Sequence, residues 1–144
     1  MKTSPPDAEK LAARAAANAL TDARRFEEAY TLIRRLVEED GQEDRVGVLG
    51  NVCKETGRFD EAEGYYARYR EFARTRGADL QFDAAVQSGR LAKAIGNPSG
   101  ALTFFLQARK LASGCVRPTL SRSELDRVVE RTIREMTSAL ETVR

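Results

Sequence analysis

The feature that most constrains the fold of this chain is a short turn pattern that occurs three times, each time before a helix-forming segment. The copies are Arg24–Ala29, Gly57–Ala62 and Gly96–Ala101. Each copy starts with arginine or glycine, has phenylalanine or proline in third place, and ends on alanine. The final alanines are 33 and 39 positions apart, which indicates a repeated unit the size of one helical hairpin.

The segments between these turns have the apolar spacing of amphipathic helices, and none shows the alternation of a β-strand. Alanine, leucine, arginine and glutamate, which favour helices, dominate the composition. Asn97-Pro98 and a Ser121-x-x-Glu124 capping box predict where the last two helices begin. We predict seven helices, over residues 5–20, 26–39, 43–56, 60–76, 79–95, 98–112 and 122–143.

The composition and the motif content argue against an enzyme. The chain has no histidine, which removes the commonest general base and the commonest zinc ligand. It also lacks a phosphate-binding glycine loop, a G-x-S-x-G elbow and a paired cysteine motif. We therefore predict no catalytic residues, no metal site, no cofactor and no small-molecule substrate.

The charge balance and the hydropathy of the chain limit the expected class of binding partner and the expected cellular location. A total of 24 basic and 22 acidic residues leaves a net charge of +2, without the basic excess typical of a nucleic-acid binder. The N-terminal segment has no apolar signal-peptide core, and no run approaches the roughly 20 apolar residues of a membrane span. We predict a cytoplasmic protein with no membrane insertion, and the excess of arginine over lysine indicates a bacterial source.

Small residues occupy matched positions in the two helices of each predicted hairpin. The first helices carry Ala17, Gly50 and Gly89, and the second helices carry Ala29, Ala62 and Ala101. In this pattern, with its period near 34, the chain resembles the tetratricopeptide repeat family, in which such residues let the paired helices pack closely. A glycine inside a helix is about 0.5–1 kcal/mol less favourable than alanine, so two at equivalent positions indicate a packing requirement.

The resemblance implies an all-α fold, a right-handed superhelix of about three helical hairpins followed by a C-terminal capping helix. The hairpins would cover residues 5–40, 43–77 and 79–113 and the capping helix 119–144, within a single domain of residues 1–144. Leu36 and Tyr69 depart from the family pattern, which prefers small residues there. The second and third hairpins are also spaced more widely than the family period, which we expect to lengthen the Tyr65–Arg76 helix or its turn.

The resemblance also implies a binding surface, because stacked hairpins leave a concave face lined by the first helix of each pair. Side-chain amides there can hold a peptide backbone, and arginine or lysine can hold an acidic group. The third hairpin also places Asp83 and Val86 on this face. Some family members hold a C-terminal carboxylate with a clamp of polar and basic residues, but Val48, Asp83 and Gln87 do not complete that clamp here. The predicted peptide-binding groove residues are Arg14, Asn18, Asn51, Lys54, Arg90 and Lys93.

We therefore predict a protein-interaction adaptor or chaperone that binds a peptide or helical segment of another protein, including an acidic one. Its size and architecture also resemble, more weakly, the small three-repeat chaperones of type III secretion. Two alternatives stay open: a helical-repeat protein that binds nucleic acid, and a structural homo-oligomer, such as a homodimer, assembled through the last helix. The apolar stripe of that helix consists of Leu125, Val128, Val129, Ile133, Met136, Leu140 and Val143.

Overall fold

A computed structural model describes the backbone of residues 5–143 and the side chains of residues 8–141, so residues 1–4 and 144 of the predicted domain lie outside the described residues. The described part of the chain is all-helical and contains no strand, which confirms that the fold is all-α. Two short 3₁₀ turns cover Glu43–Arg45 and Ala112–Gly114. The α-helices are α1 (Pro5–Asp22), α2 (Phe26–Glu38), α3 (Val46–Glu55), α4 (Phe59–Ala73), α5 (Ala78–Ala94), α6 (Pro98–Leu111) and α7 (Arg122–Val143).

The contacts divide the chain into two compact units, Met1–Arg68 and Tyr69–Arg144, and the boundary falls inside α4. In the first unit α1 packs against α2, and α2 packs against α3. In the second unit α5 packs against α6, and α6 packs against α7. Helices that follow each other in the chain are therefore neighbours within each unit, as in helical hairpins. The assignment to a single repeat domain stays a prediction.

Both predicted helix caps are present. The side-chain oxygen of Asn97 accepts a hydrogen bond from the backbone N–H of Gly100 at 3.0 Å, so it caps α6. Before α7, Ser121 and Glu124 form a reciprocal capping box: the Glu124 N–H donates to Ser121 Oγ at 3.2 Å, and the Ser121 N–H donates to Glu124 Oε1 at 3.1 Å. These contacts fix where the last two helices start.

The wider spacing between the second and third hairpins is accommodated mainly in α5. Helix α4 has 15 residues against 13 in α2, so the predicted lengthening of the Tyr65–Arg76 helix accounts for only part of the difference. Helix α5 has 17 residues, whereas α3 has 10 and is preceded by a 3₁₀ turn. Gly77, with a φ of 98°, turns the chain sharply and lets α5 begin at the next residue.

The three copies of the turn pattern share one backbone geometry, that of a Schellman motif at the end of a helix. Their first residues, Arg24, Gly57 and Gly96, have left-handed φ values of 60°, 77° and 79°. In each turn the next backbone N–H donates to the carbonyl oxygen five residues earlier. These bonds join Arg25 N to Leu20 O (2.9 Å), Arg58 N to Cys53 O (2.8 Å) and Asn97 N to Ala92 O (2.8 Å).

The glycines inside α3 and α5 each lie under an aromatic ring of the following helix. A β-carbon added at Gly50 would lie 2.6 Å from Cε1 of Tyr66, and one at Gly89 would lie 2.6 Å from Cε1 of Phe105. Both rings are buried, with exposed fractions of 1%. Two hairpins therefore share the same ring-over-glycine contact, and this is the packing requirement that the sequence pattern indicated.

The first hairpin has a different pair of residues at the equivalent positions. Ala17 stands where the other hairpins have glycine, and Ile33 stands where they have an aromatic residue. Both side chains are buried, at 1% exposure each. Compared with the other hairpins, the side chain is larger on the first helix (alanine for glycine) and smaller on the second (isoleucine for an aromatic residue). The two changes partly cancel, so the total side-chain volume at this contact is similar.

Charged and aromatic side chains connect α2 to the turn before α4 and to α4 itself within the first unit. The Arg58 guanidinium lies 3.8 Å from the centroid of the Tyr30 ring and donates to the Glu27 carboxylate at 2.9 Å and 3.2 Å. The Tyr30 hydroxyl donates to Glu61 at 2.6 Å. Because these groups are partly exposed, they orient the helices more than they stabilise them.

The ring-over-glycine contact predicts that Gly50→Ala and Gly89→Ala each destabilise the protein. The added methyl group overlaps a buried ring, and we expect a net loss of about 1–2 kcal/mol despite the better helix propensity of alanine. Gly64→Ala on α4 is the matched control, because nothing lies within 4 Å of its added β-carbon. That change should gain about 0.5–1 kcal/mol. Urea unfolding of the three variants measures the difference, and equal effects at Gly50 and Gly64 would contradict the contact.

The shared turn geometry predicts that Arg24→Gly stabilises the protein. Arg24 is the only described residue other than glycine with a positive φ, and it stands where the other two turns have glycine. Glycine adopts a left-handed φ without the steric cost that arginine has there, so the substitution should raise the free energy of unfolding by about 1 kcal/mol. Ala23→Gly, one position earlier, removes a helix-favouring residue without this relief and should lose stability. Thermal melts of the two variants should therefore shift in opposite directions.

Candidate protein-binding surface

The six residues predicted to line a groove fall into two sets. Arg14 and Asn18 lie on α1 and Asn51 and Lys54 lie on α3, all in the first unit. The other two, Arg90 and Lys93, lie on α5 in the second unit.

Both α1 residues contact the short segment that leads into α3. The Arg14 guanidinium donates to Gln42 Oε1 at 3.3 Å and forms an ion pair with Asp44 Oδ2 at 2.7 Å. One turn along the helix, the Asn18 side-chain oxygen accepts a hydrogen bond from Arg45 Nη1 at 2.9 Å. Residues 42–45 directly precede α3, so these polar contacts connect α1 to the start of α3, the two helices predicted to share one face.

Arg45, which the sequence analysis did not select, is the least satisfied polar group of this surface. Its Nε atom is buried, and among the described residues it has no hydrogen-bond acceptor. Burial lowers the pKa of this guanidinium, and the charge of Arg14 lowers it further, while Asp44 acts in the opposite direction. Arg14 and Arg45, which we call the cationic pair, therefore share the nearby carboxylate of Asp44 and leave an excess of positive charge.

Asn51 is a structural partner as well as a candidate contact. Its side-chain oxygen accepts a hydrogen bond from the Tyr66 hydroxyl at 2.5 Å, and the same Tyr66 ring covers Gly50. Lys54 is half-buried and lies one turn further along α3. The amide predicted to hold a peptide is thus oriented by a core residue of the hairpin.

In the second unit, the predicted groove cations lie near acidic residues of α7. Lys93 forms an ion pair with Glu135 at 3.2 Å. Arg90 is exposed, and its charge contributes to a lowered pKa of the Glu124 carboxyl, whose main causes are the side-chain and backbone hydrogen bonds from Ser121. The acidic residues of α7 therefore partly neutralise these two cations.

The first half of the α5 face is covered by other residues of the second unit. Val86 is fully buried in a core with Leu120 and Leu125. Asp83 accepts hydrogen bonds from the Tyr69 hydroxyl at 2.6 Å and from Thr119 Oγ1 at 2.7 Å. The resemblance to the tetratricopeptide family implied that Asp83 and Val86 are exposed on an open groove. This prediction was wrong for Val86, because α7 and the segment before it pack against its side chain.

The two cysteines do not supply an activated nucleophile. Burial raises the pKa of the Cys53 thiol to about 11, and burial together with the nearby Asp79 raises the pKa of Cys115. Both thiols stay protonated near neutral pH, and the thiolate is the reactive form. Within the described part of the chain, no group of three His, Cys, Asp or Glu residues could hold a metal ion, and no helix is long and apolar enough to cross a membrane.

Comparison with known proteins adds no family to this picture. No family model matches the chain, and no curated protein matches it significantly. The interpretation of the surface therefore rests on its own geometry, which offers hydrogen-bond donors, side-chain amides and the cationic pair on the first unit.

The contact between Asn51 and Tyr66 predicts unequal effects for two asparagine substitutions. Asn51→Ala removes the acceptor of the Tyr66 hydroxyl and should lower the free energy of unfolding by about 1 kcal/mol. Asn18→Ala, on the exposed side of α1, should change it by less than about 0.5 kcal/mol. Urea unfolding distinguishes the two. A double-mutant cycle with Tyr66→Phe should show that the losses at residues 51 and 66 are not additive, whereas additive losses would mean that the hydrogen bond contributes nothing.

Proposed function

We propose that this chain is an adaptor or chaperone of the tetratricopeptide-like class, which binds a segment of another protein and performs no chemical reaction. Two observations support the repeat assignment. The turn geometry is the same at Arg24, Gly57 and Gly96, and two hairpins share the ring-over-glycine contact. Proteins built from such hairpins bind other chains on the face of the first helices. A right-handed superhelix is part of this proposal.

The bound segment carries an acidic group, and the single observation behind this step is the cationic pair. Arg14 and Arg45 have one carboxylate, Asp44, between them, and the buried Nε donor of Arg45 lacks an acceptor among the described residues. A carboxylate from a partner, placed beside the exposed part of the Arg14 side chain, would balance the charge of the pair. Hydrogen bonds to charged groups contribute about 1.5–3 kcal/mol, enough to select acidic segments over neutral ones.

The neighbouring amides and Lys54 extend the contact along the partner chain. An asparagine amide offers both a donor and an acceptor, so Asn18 and Asn51 suit the N–H and C=O groups of a peptide backbone. Lys54 adds a further cation on α3 for a second acidic residue. Backbone contacts give affinity with little dependence on sequence, and the cationic pair gives selectivity. This division suits an adaptor or chaperone that accepts several related segments in the bacterial cytoplasm.

The proposal predicts that acidic peptides bind and that the cationic pair selects them. Selection from a random peptide display library should enrich sequences containing aspartate or glutamate. Fluorescence anisotropy with an enriched peptide should then show that Arg45→Ala weakens binding by about tenfold or more, equivalent to 1.4 kcal/mol per tenfold step. Arg109→Ala, an exposed arginine on α6, is the control and should bind like the wild type.

Circular dichroism should show that both variants keep their helical content. Enriched peptides without acidic residues, or unchanged binding by Arg45→Ala, would contradict the proposal. A single-stranded oligonucleotide measured in the same assay tests the nucleic-acid alternative. Tight binding of that probe, with affinity falling steeply as salt rises, would favour the alternative instead.

A further inference from the structure

The apolar stripe of α7 is buried over its first half and exposed over its second half. Leu125 and Val129 are 0% and 4% exposed and belong to the core of the second unit. Further along the same helix, Ile133 is 46% exposed and Leu140 is 68% exposed. The side chain of Val143, the last residue of the predicted stripe, lies outside the described set. The helix therefore presents an apolar face over its last turns.

The exposed residues form one continuous face. Ile133, Met136 and Leu140 are spaced by three and four positions, so they lie along one side of the helix. Met136 is half-buried, and with Val129 it joins the exposed face to the buried stripe. This spacing is the seam by which two amphipathic helices pack side by side.

The charges beside this face are mixed and suit a second copy of the same helix. Arg131 and Arg134 alternate with Glu130, Glu135 and Glu141, so a partner of one strong charge would gain little. Ile133 and Leu140 are seven positions apart, and Arg134 and Glu141 are also seven apart on one edge of the face. The charge pattern is therefore close to self-complementary.

The orientation follows from these equal separations. In an antiparallel pair with Ile133 opposite Leu140 of the second copy, Arg134 lies within two residues, or about 3 Å along the axis, of Glu141 of the second copy. The twofold symmetry makes this contact twice. In a parallel twofold pair, the edge that carries Arg134 and Glu141 faces the opposite edge of the second copy, so neither residue meets the other across the seam. Charge complementarity thus favours the antiparallel arrangement.

We propose that a second copy of this chain packs antiparallel on the last turns of α7 and forms a symmetric homodimer. Ile133, Met136 and Leu140 supply the apolar seam, and Arg134 pairs with Glu141 across it. The seam spans only two helical turns, so the interface is small and the dimer weak, with a Kd on the order of 10–100 µM. This inference is independent of the proposed peptide binding, because it uses no residue of α1 or α3.

Sedimentation equilibrium over a range of concentrations tests the seam. The wild type should dimerise reversibly, and the double variant Ile133→Lys/Leu140→Lys should stay monomeric. Its melting temperature should change little at low concentration, because both side chains are already exposed. Leu11→Lys on α1, 60% exposed, is the matched control and should dimerise like the wild type. A wild type that stays monomeric at about 1 mM, or a double variant that dimerises normally, would overturn the proposal.

Charge reversal tests the orientation. Arg134→Glu and Glu141→Arg should each weaken self-association by about tenfold. An equimolar mixture of the two variants should associate at least as well as the wild type, because every antiparallel contact then joins opposite charges. A mixture that associates no better than the separate variants would overturn the antiparallel pairing. Peptide binding by the first unit is measured on the same variants and should be unchanged, which separates this outcome from that of the proposed function.

Discussion

The close approach of an aromatic ring to a helix backbone is the contact on which the second and third hairpins of this protein depend. Tyr66 over Gly50 and Phe105 over Gly89 bring two helix axes closer than any larger residue would allow. The same small distance requires the chain to reverse tightly, which the left-handed residue of each preceding turn permits. Glycine is therefore used twice in each of these hairpins, once for space and once for backbone conformation.

Much of the architecture could be predicted from the sequence, because its signals are local. Glycine and proline mark helix ends through backbone sterics, and the capping residues at Asn97 and Ser121 act within a few positions. The prediction failed where the same residues could adopt two different local structures. Residues 43–45 have helical character but form a 3₁₀ turn, and the extra residues before the third hairpin extend α5 more than α4. Periodicity does not distinguish these outcomes, because all of them keep the apolar face buried.

The candidate site was less predictable, because it depends on which side chains meet across helices. Arg14 and Asn18 were predicted from their positions on α1, and the family pattern places Asp44 on the same face. Their contacts with residues 42–45 follow only from the folded chain. Arg45 could have been noticed as a cation beside Asp44, yet only the folded chain buries its Nε atom. Val86 shows the converse, since only tertiary packing reveals that α7 covers it.

The hydrogen bond between Tyr66 and Asn51 has a consequence for how this protein can evolve. The ring belongs to the interior, whereas its hydroxyl reaches the amide of a residue on the candidate binding face. Natural selection for recognition at Asn51 therefore also acts on Tyr66 in the interior. Replacing Tyr66 with phenylalanine, a conservative change inside the hairpin, would alter the binding face, because Asn51 would lose its hydrogen bond. Drift at these two positions should be correlated, with tyrosine kept wherever the asparagine is kept.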